Sequence, residues 1–191
     1  MKCALPVLAA LTLVACQPAA ETDTQGEGPA APTSPTSEPS VSGSAASQII
    51  ALDTEGLRLV DETTGNTRLL PFGSPKDEAM SAIAAVAGAA TDTGEMSECG
   101  PGPLTYADYG NGLRVWFNAG TLSGWESTGE LTTMDGLSAE ADRAEVEAAG
   151  VTEFTRDTLE DEFDLNGIFG IMEPGGQEVA LLHVGDNCFM R

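Results

Sequence analysis

Apolar and polar positions alternate along the first part of the folded region, in a pattern typical of β-strands. Residues 49–52 form a short apolar run, and Leu57 and Leu59 alternate with polar or charged neighbours, as in a half-buried strand. Leu69 and Leu70 follow a Thr-Gly-Asn turn sequence. The folded region is therefore predicted to begin with three short strands.

After these strands the apolar spacing changes to that of a helix. Ser74 is a suitable N-cap, Pro75 suits the first helical position, and Asp77 and Glu78 complement the positive end of a helix. One face then carries the apolar residues Ala79, Ile83, Val86 and Ala87. Gly88 is the predicted end of this helix.

A hairpin is predicted in the middle of the chain. Residues 89–103 contain Thr, Gly, Glu and two prolines, which indicate a loop. Residues 104–109 and 113–117 then predict two strands, and residues 121–126 return as a hairpin partner. Residues 131–134 predict a short extended piece.

A second short helix is predicted before the C-terminal strands. Asp142 and Glu145 fit a capping box on a helix that ends at Gly150, and Ser138 is an alternative cap one turn earlier.

The C-terminal part returns to β-structure. Residues 151–159 are predicted to be extended, Asn166-Gly167 indicates a tight hairpin, residues 174–176 form a turn, and residues 179–184 form the last strand. The predicted fold class is therefore α+β, an antiparallel sheet with two short helices packed on one face.

Two similar segments open the two halves of this pattern. The segment Phe72-Gly-Ser-Pro-Lys-Asp-Glu-Ala-Met opens one half, and Gly136-Leu-Ser-Ala-Glu-Ala-Asp-Arg-Ala-Glu-Val opens the other. This layout resembles the tandem helix-plus-sheet units of SmpA/OmlA outer-membrane lipoproteins and of β-lactamase inhibitory proteins. The resemblance implies two tandem helix-plus-meander units, and a sheet face that contacts protein partners. No binding residues of those families can be matched position by position.

The N-terminus carries a signal sequence. Lys2 precedes a run of apolar residues, 4–14, that is interrupted only by Thr12 and is too short for a membrane span of roughly 20 residues. The run ends in Leu13-Val14-Ala15-Cys16, which resembles the bacterial lipobox. The resemblance implies cleavage after Ala15, and lipidation of Cys16, which anchors the protein in a bilayer.

The sequence divides into three regions. Residues 1–15 are the predicted lipoprotein signal peptide, 16–47 are the lipidated Cys16 and a disordered Pro/Ser/Thr-rich tether, and 48–191 are a single globular domain. Gln17 stands where an aspartate would signal inner-membrane retention. We therefore expect an outer-membrane anchor, with the domain facing the periplasm or the cell surface.

The charge balance restricts the partners. The chain has 30 acidic and 8 basic residues, for a net charge of −22. Nucleic-acid binding requires neutralisation of phosphates by Lys and Arg, so nucleic acid is not an expected partner. The expected partners are the lipid bilayer, through acylated Cys16, and an envelope protein that the sequence does not identify. The acidity also fits a salty habitat or a cation-binding coat.

The remaining cysteines indicate a disulfide. Cys3 lies in the segment that is removed, so Cys99 and Cys188 are left in the domain. An isolated pair outside the cytoplasm usually forms a disulfide. A redox or metal pair is the alternative, but there is no C-x-x-C spacing.

The acidic segment near residue 162 agrees in part with the spacing of a calcium-binding loop. Glu162, Asp164, Asn166, Gly167 and Glu173 occupy positions 1, 3, 5, 6 and 12 of an EF-hand-like loop. Position 1 should be Asp, and the Pro-Gly-Gly sequence that follows prevents a helix. A β-hairpin explains these residues better, so neither metal nor cofactor is expected.

Catalytic motifs are absent from the sequence. His183 is the only histidine and lies in an apolar strand without a nucleophile motif, which indicates a core or edge position. A pair of carboxylates could still serve a cell-wall hydrolase.

Aromatic residues provide the best candidate surface. Tyr106, Tyr109, Trp116 and Trp125 lie on the central predicted strands, and Trp116 alternates against apolar neighbours. If these side chains are exposed, they can contact a partner protein or a glycan. If they are packed, they cover the second side of the sheet. We therefore expect a non-enzymatic envelope lipoprotein that binds another protein, with a hydrolase or an acidic coat protein as alternatives.

Overall fold

The computed structural model describes residues 47–156 and 160–188. The predicted signal peptide, Cys16 and nearly all of the predicted tether lie outside these residues, as do residues 157–159 of the predicted extended segment. Within the part of the chain that the structure describes, no helix combines the length and apolar character needed to cross a membrane.

A three-stranded antiparallel sheet opens the described chain and confirms the first prediction. It consists of β1 (Gln48–Asp53), β2 (Gly56–Asp61) and β3 (Thr67–Pro71), in the order β1-β2-β3. Leu52 and Leu57 are directly paired and fully buried, so the alternating apolar positions form one buried side of this sheet.

The first helix, α1 (Lys76–Ala87), follows the three-stranded sheet. It buries Ala79 and Ile83 and ends at Gly88, as predicted. The predicted capping by Ser74 is wrong. Its hydroxyl donates to the carbonyl oxygen of Pro71 at 2.7 Å, and no side chain caps the helix.

Four strands follow α1: β4 (Asp92–Met96), β5 (Leu104–Asp108), β6 (Leu113–Asn118) and β7 (Thr121–Ser127). The strand β4 lies inside the segment that was predicted to be a loop. Its sequence, Asp-Thr-Gly-Glu-Met, has no apolar alternation because it is an edge strand that pairs only with β5.

The second helix, α2 (Arg143–Ala148), has the predicted capping box. The Asp142 carboxylate accepts from the Glu145 backbone N–H, and the Glu145 carboxylate accepts from the Asp142 N–H. Before this helix, the predicted extended piece 131–134 forms only isolated bridges, including Thr133 with Leu52 and Thr132 with Ser138.

The last four strands are β8 (Thr155–Arg156), β9 (Asp161–Leu165), β10 (Ile168–Met172) and β11 (Val179–Gly185). The β9–β10 hairpin turns at Asn166-Gly167, as predicted. Both residues have positive φ, 54° and 93°, as the mirror-image hairpin turn requires.

Eight strands form one antiparallel sheet in the order β4-β5-β6-β7-β11-β10-β9-β8. Its two four-stranded parts meet where β7 pairs with β11, with Gly124 opposite Gly185. A Cβ on Gly124 would lie 2.0 Å from the backbone oxygen of Asp186, so this junction requires glycine.

One large apolar core lies on one face of the eight-stranded sheet. It combines Val115 and Leu182 of the sheet with Leu57 of the three-stranded sheet. Ile83 of α1 and Val146 of α2 belong to the same core. The observed architecture is thus mostly antiparallel sheet with two helices, which agrees with the predicted α+β class.

Candidate functional site

The candidate site lies on the outer face of the eight-stranded sheet, which is the face opposite the large core. Strand alternation separates the two faces: Val115 and Phe117 belong to the large core, whereas Trp116 belongs to a separate, smaller cluster. The outer face has a covered part and a part that is at least partly accessible to solvent.

The covered part is the small cluster of Cys99, Leu104 and Trp116, against which Tyr106 packs. The predicted disulfide between Cys99 and Cys188 is formed and belongs to this cover. It links the segment after β4 to the segment after β11. Because of this cover, Trp116 is only 1% exposed.

A continuous line of side chains crosses seven strands beside this cover. Each member is directly opposite the next on the neighbouring strand, so all of them share the outer face. This cross-strand row consists, in order, of Asp92, Asp108, Arg114, Glu126, His183, Phe169 and Asp164.

Arg114 is held by two carboxylates of the cross-strand row. Its Nη2 donates to Asp108 at 2.7 Å and its Nε donates to the second oxygen of the same carboxylate, which makes the pair bidentate. Its Nη1 donates to Glu126 at 3.4 Å. The guanidinium also lies over the rings of Tyr106 and Trp116, at 4.6 and 5.4 Å from their centroids. Arg114 is therefore engaged by the protein itself.

Glu126 is a largely buried carboxyl beside Arg114. Burial raises the pKa of Glu126, against the lowering effects of the Trp116 indole and the Arg114 charge. The indole nitrogen of Trp116 acts on this carboxyl without the geometry of a full hydrogen bond. The site thus contains one carboxyl whose proton is held more tightly than usual.

Tyr106 contacts both Asp92, the first member of the row, and Arg114, the third. Its hydroxyl donates to Asp92 at 3.0 Å, and this hydrogen bond raises the pKa of Tyr106. A Cβ on Gly94 would lie 2.7 Å from the Tyr106 ring, so glycine at this position lets the ring lie across the edge strand. Edge-on packing against Trp116, at 5.7 Å between centroids, fixes the ring on its other side.

Phe169 is the exposed apolar member of the row. It is 46% exposed and stacks on His183 with ring centroids 5.6 Å apart. The side-chain nitrogen of Asn187 lies 3.1 Å from Nδ1 of His183. His183, predicted as a core or edge residue, is partly buried within this row.

A recess of about 340 Å³ lies beside the Arg114 guanidinium. Asp108, Glu126, Tyr109 and Leu113 are among the residues that line it. Burial raises the pKa of Tyr109, whose hydroxyl has no hydrogen-bond partner among the described residues. The lining of the recess therefore combines charged groups with one aromatic hydroxyl.

The four predicted aromatic contact residues lie in different places. Tyr109 and Trp125 belong to the large core, at 3% and 0% exposure, and Trp116 lies under the disulfide cover. Of the two alternatives for these rings, the structure shows the packed one at these three positions, because both faces of the central strands are covered there. Trp116 does face away from the large core, as its alternation indicated, and Tyr106 is partly exposed beside the row.

The residues with EF-hand-like spacing, considered above as candidate calcium ligands, lie in and after the β9–β10 hairpin. Asp164 accepts a hydrogen bond of 2.8 Å from the backbone of Gly167, which stabilises the turn at Asn166. Glu162 lies opposite Ile171 on β10, and Glu173 follows that strand in a turn. Within residues 47–156 and 160–188, no three His, Cys, Asp or Glu side chains are grouped so that they could hold a metal ion.

The sequence reasoning missed Arg114, Glu126 and Phe169 as members of one surface. The sequence contained part of this information, because Arg114 occupies a polar position between the alternating apolar residues of β6. The meeting of Glu126 with His183 and Phe169 depends on the pairing of β7 with β11, which are separated by more than fifty residues. Alternation assigns a face, but it does not assign the neighbouring strand.

Comparisons with models of protein families, with curated proteins and with solved structures find no match to this chain. The geometry of the outer face therefore carries the functional argument.

Proposed function

We propose that this chain is a lipid-anchored, non-enzymatic protein-binding module of the bacterial cell envelope. The outer face of the eight-stranded sheet is its contact surface. The observation that carries the proposal is the cross-strand row, in which an exposed Phe169 lies among charged and hydrogen-bonding side chains. An apolar residue surrounded by polar groups is the usual composition of a protein–protein contact.

The size of the row supports a macromolecular partner. Strands in a sheet are about 4.8 Å apart, so the six steps from Asp92 to Asp164 span about 29 Å. A standard interface covers about 800 Å² of each partner, which corresponds to a patch of similar width. The geometry therefore suits another protein better than a small molecule.

Membrane attachment is proposed from the sequence. The segment Leu13-Val14-Ala15-Cys16 supports lipidation of Cys16 after removal of residues 1–15, with residues 17–47 as a tether to the domain. Labelled palmitate should be incorporated into the wild-type chain and into Cys3→Ser, which alters a residue of the removed segment. Cys16→Ser should lose both the label and its membrane fractionation. Label retained by Cys16→Ser would contradict this part of the proposal.

We also propose that the domain is built from two tandem helix-plus-meander units. Each unit is a helix followed by four strands, α1 with β4–β7 and α2 with β8–β11. The sheet order supports this reading, because it runs inward from β4 to β7 and outward again from β11 to β8. The row crosses both units, so a partner on this face contacts both.

A second candidate function is hydrolysis by a carboxylate pair. The observation in its favour is the recess beside Arg114, where Asp108 and Glu126 converge and burial raises the pKa of Glu126. Against it, the Arg114 guanidinium donates to both carboxylates and occupies the space between them. Release of peptidoglycan fragments by the wild-type protein, abolished in Glu126→Gln, would establish this activity and overturn the binding proposal.

In-cell photo-crosslinking tests the binding proposal. A photoreactive amino acid is placed at Phe169 or, as the matched control, at Met134, which is 53% exposed and lies outside the eight-stranded sheet. A recurrent envelope protein joined through position 169 and not through position 134 is the expected result. Equal yields at both positions, or none at 169 in repeated trials, would contradict the proposal.

A further inference from the structure

We infer that the partner of the outer face presents a cationic surface together with an apolar side chain that contacts Phe169. This inference rests on the proposed function and specifies the chemistry of the bound protein. It follows from which charges of the cross-strand row are engaged within the protein and which reach solvent.

The only Lys or Arg side chain of the row is already paired with carboxylates of the protein itself. Arg114 directs Nε and Nη2 at Asp108 and Nη1 at Glu126, and two aromatic rings lie against its plane. A guanidinium held in this way neutralises carboxylates of its own protein. Less of its charge is then left to attract an anionic group of a partner protein.

His183 is also engaged within the protein. The side-chain nitrogen of Asn187 lies 3.1 Å from its Nδ1. The ring face is stacked on Phe169. His183 thus supports the exposed aromatic residue.

The carboxylates of the row outnumber its cation by four to one. Asp92 and Asp164 are the exposed ones, and they lie near the two ends of the row. Asp164 is directly opposite Phe169 on the neighbouring strand, so an acidic group borders the exposed ring. With a net charge of −22, the remainder of the chain reinforces the negative potential.

Charge complementarity therefore selects a partner with Lys or Arg side chains. The exposed ring of Phe169 selects an aliphatic or aromatic side chain beside the cationic group that faces Asp164. An acidic partner would be repelled by both ends of the row.

Selection of peptides from a random twelve-residue display library tests the inference without a known partner. The bait is the full chain carrying Cys16→Ser, and peptides that also bind the same bait with Phe169→Ala are discarded. We expect the remaining peptides to be enriched in Lys or Arg together with Leu, Phe or Trp. Their affinity should fall as salt concentration rises.

Matched variants separate this site from general attraction to an acidic protein. Asp164→Asn removes a charge but keeps the oxygen that accepts from Gly167, so the hairpin turn is retained. It should weaken the selected peptides about threefold and reduce their salt dependence, whereas Phe169→Ala should weaken them about tenfold. The controls Asp135→Asn and Met134→Ala, at exposed positions outside the sheet, should change affinity less than about twofold.

The outcomes distinguish this inference from the proposed function. Selected peptides that depend on Phe169 but are neutral or acidic would overturn the cationic partner and leave the protein-binding face intact. Absence of any peptide that depends on Phe169 would overturn both. Basic peptides weakened equally by Asp135→Asn and Asp164→Asn would also overturn the inference, because the attraction would not be specific to the row.

Discussion

The indole nitrogen of Trp125 donates a hydrogen bond of 2.8 Å to the main-chain oxygen of Asp53. Trp125 lies on β7 of the eight-stranded sheet and is fully buried, whereas Asp53 ends β1 of the three-stranded sheet. The contact joins the two sheets directly.

Replacement of Trp125 by Phe should lower the free energy of unfolding by about 2–4 kcal/mol. The change replaces a buried indole with a smaller phenyl ring, which leaves a cavity, and it leaves the Asp53 carbonyl without this partner. Urea unfolding followed by circular dichroism measures the loss. Trp116→Phe is the matched control, since it removes an equally buried indole whose nitrogen has no standard hydrogen bond in the described structure. Equal losses in both variants would contradict a specific role for the hydrogen bond.

The contact between Trp125 and Asp53 also shows which part of the fold could be predicted from the sequence. A short apolar run predicted β1, and a hairpin with the preceding strand predicted β7. The contact between them joins residues 72 positions apart. No local pattern carries that information, because the packing of two sheets is decided by the shapes of both surfaces together.

The junction of β7 and β11 depends on Gly124. We expect Gly124→Ala to destabilise the protein by about 2–4 kcal/mol, because a Cβ would lie 2.0 Å from the backbone oxygen of Asp186. The backbone there must move, and this pairing is the one that joins the two four-stranded parts of the sheet. Thermal unfolding measures the effect, together with hydrogen exchange of the β11 amides.

Gly100→Ala is the control for the junction variant. A Cβ at Gly100 meets no atom within 4 Å, so stability should change by less than about 0.5 kcal/mol. If Gly124→Ala proved as mild as Gly100→Ala, the close approach of β7 to the chain after β11 would be refuted.

The disulfide should contribute both stability and the cover over Trp116. Cys99 and Cys188 are 89 positions apart, and closing such a loop is worth about 4 kcal/mol in the chain-entropy model. The double variant Cys99→Ser/Cys188→Ser should lose a similar amount. Its Trp116 emission, measured in a Trp125→Phe background, should shift to longer wavelength as water reaches the ring. Unchanged emission would show that the cover does not depend on the disulfide.

The disulfide and the aromatic residues illustrate why the site was only partly predicted. The pairing of Cys99 with Cys188 followed from there being two cysteines in the domain, which needs no geometry. The exposure of Trp116 could not be deduced, because the cover arises from the segment after β4 and from Cys188, far apart in the chain. Phe169 was missed for a related reason: its neighbours in a strand of Ile, Phe and Met made it resemble a core residue.

Glu126 should make the stability of the protein depend on pH in a defined direction. Burial raises the pKa of Glu126 in the folded chain, so the folded state holds the proton more tightly than the unfolded state. The resulting stabilisation is fully present below the unfolded pKa, about 4.3 for Glu, and is lost as pH rises through the folded pKa. Above that window the protein carries a buried, incompletely compensated charge.

Glu126→Gln should therefore gain stability relative to wild type as pH rises from about 3.5 to about 7. Glutamine is neutral at every pH, and its oxygen can still accept from Arg114. Urea unfolding of both proteins at several pH values provides the difference in free energy. Glu130→Gln, at an exposed position three residues after β7, is the control: it shows how the loss of one negative surface charge by itself changes stability with pH. The difference in unfolding free energy between Glu126→Gln and wild type could instead stay constant or fall with rising pH. Either result would contradict the raised pKa of Glu126, because it would mean that Arg114 compensates the Glu126 charge fully.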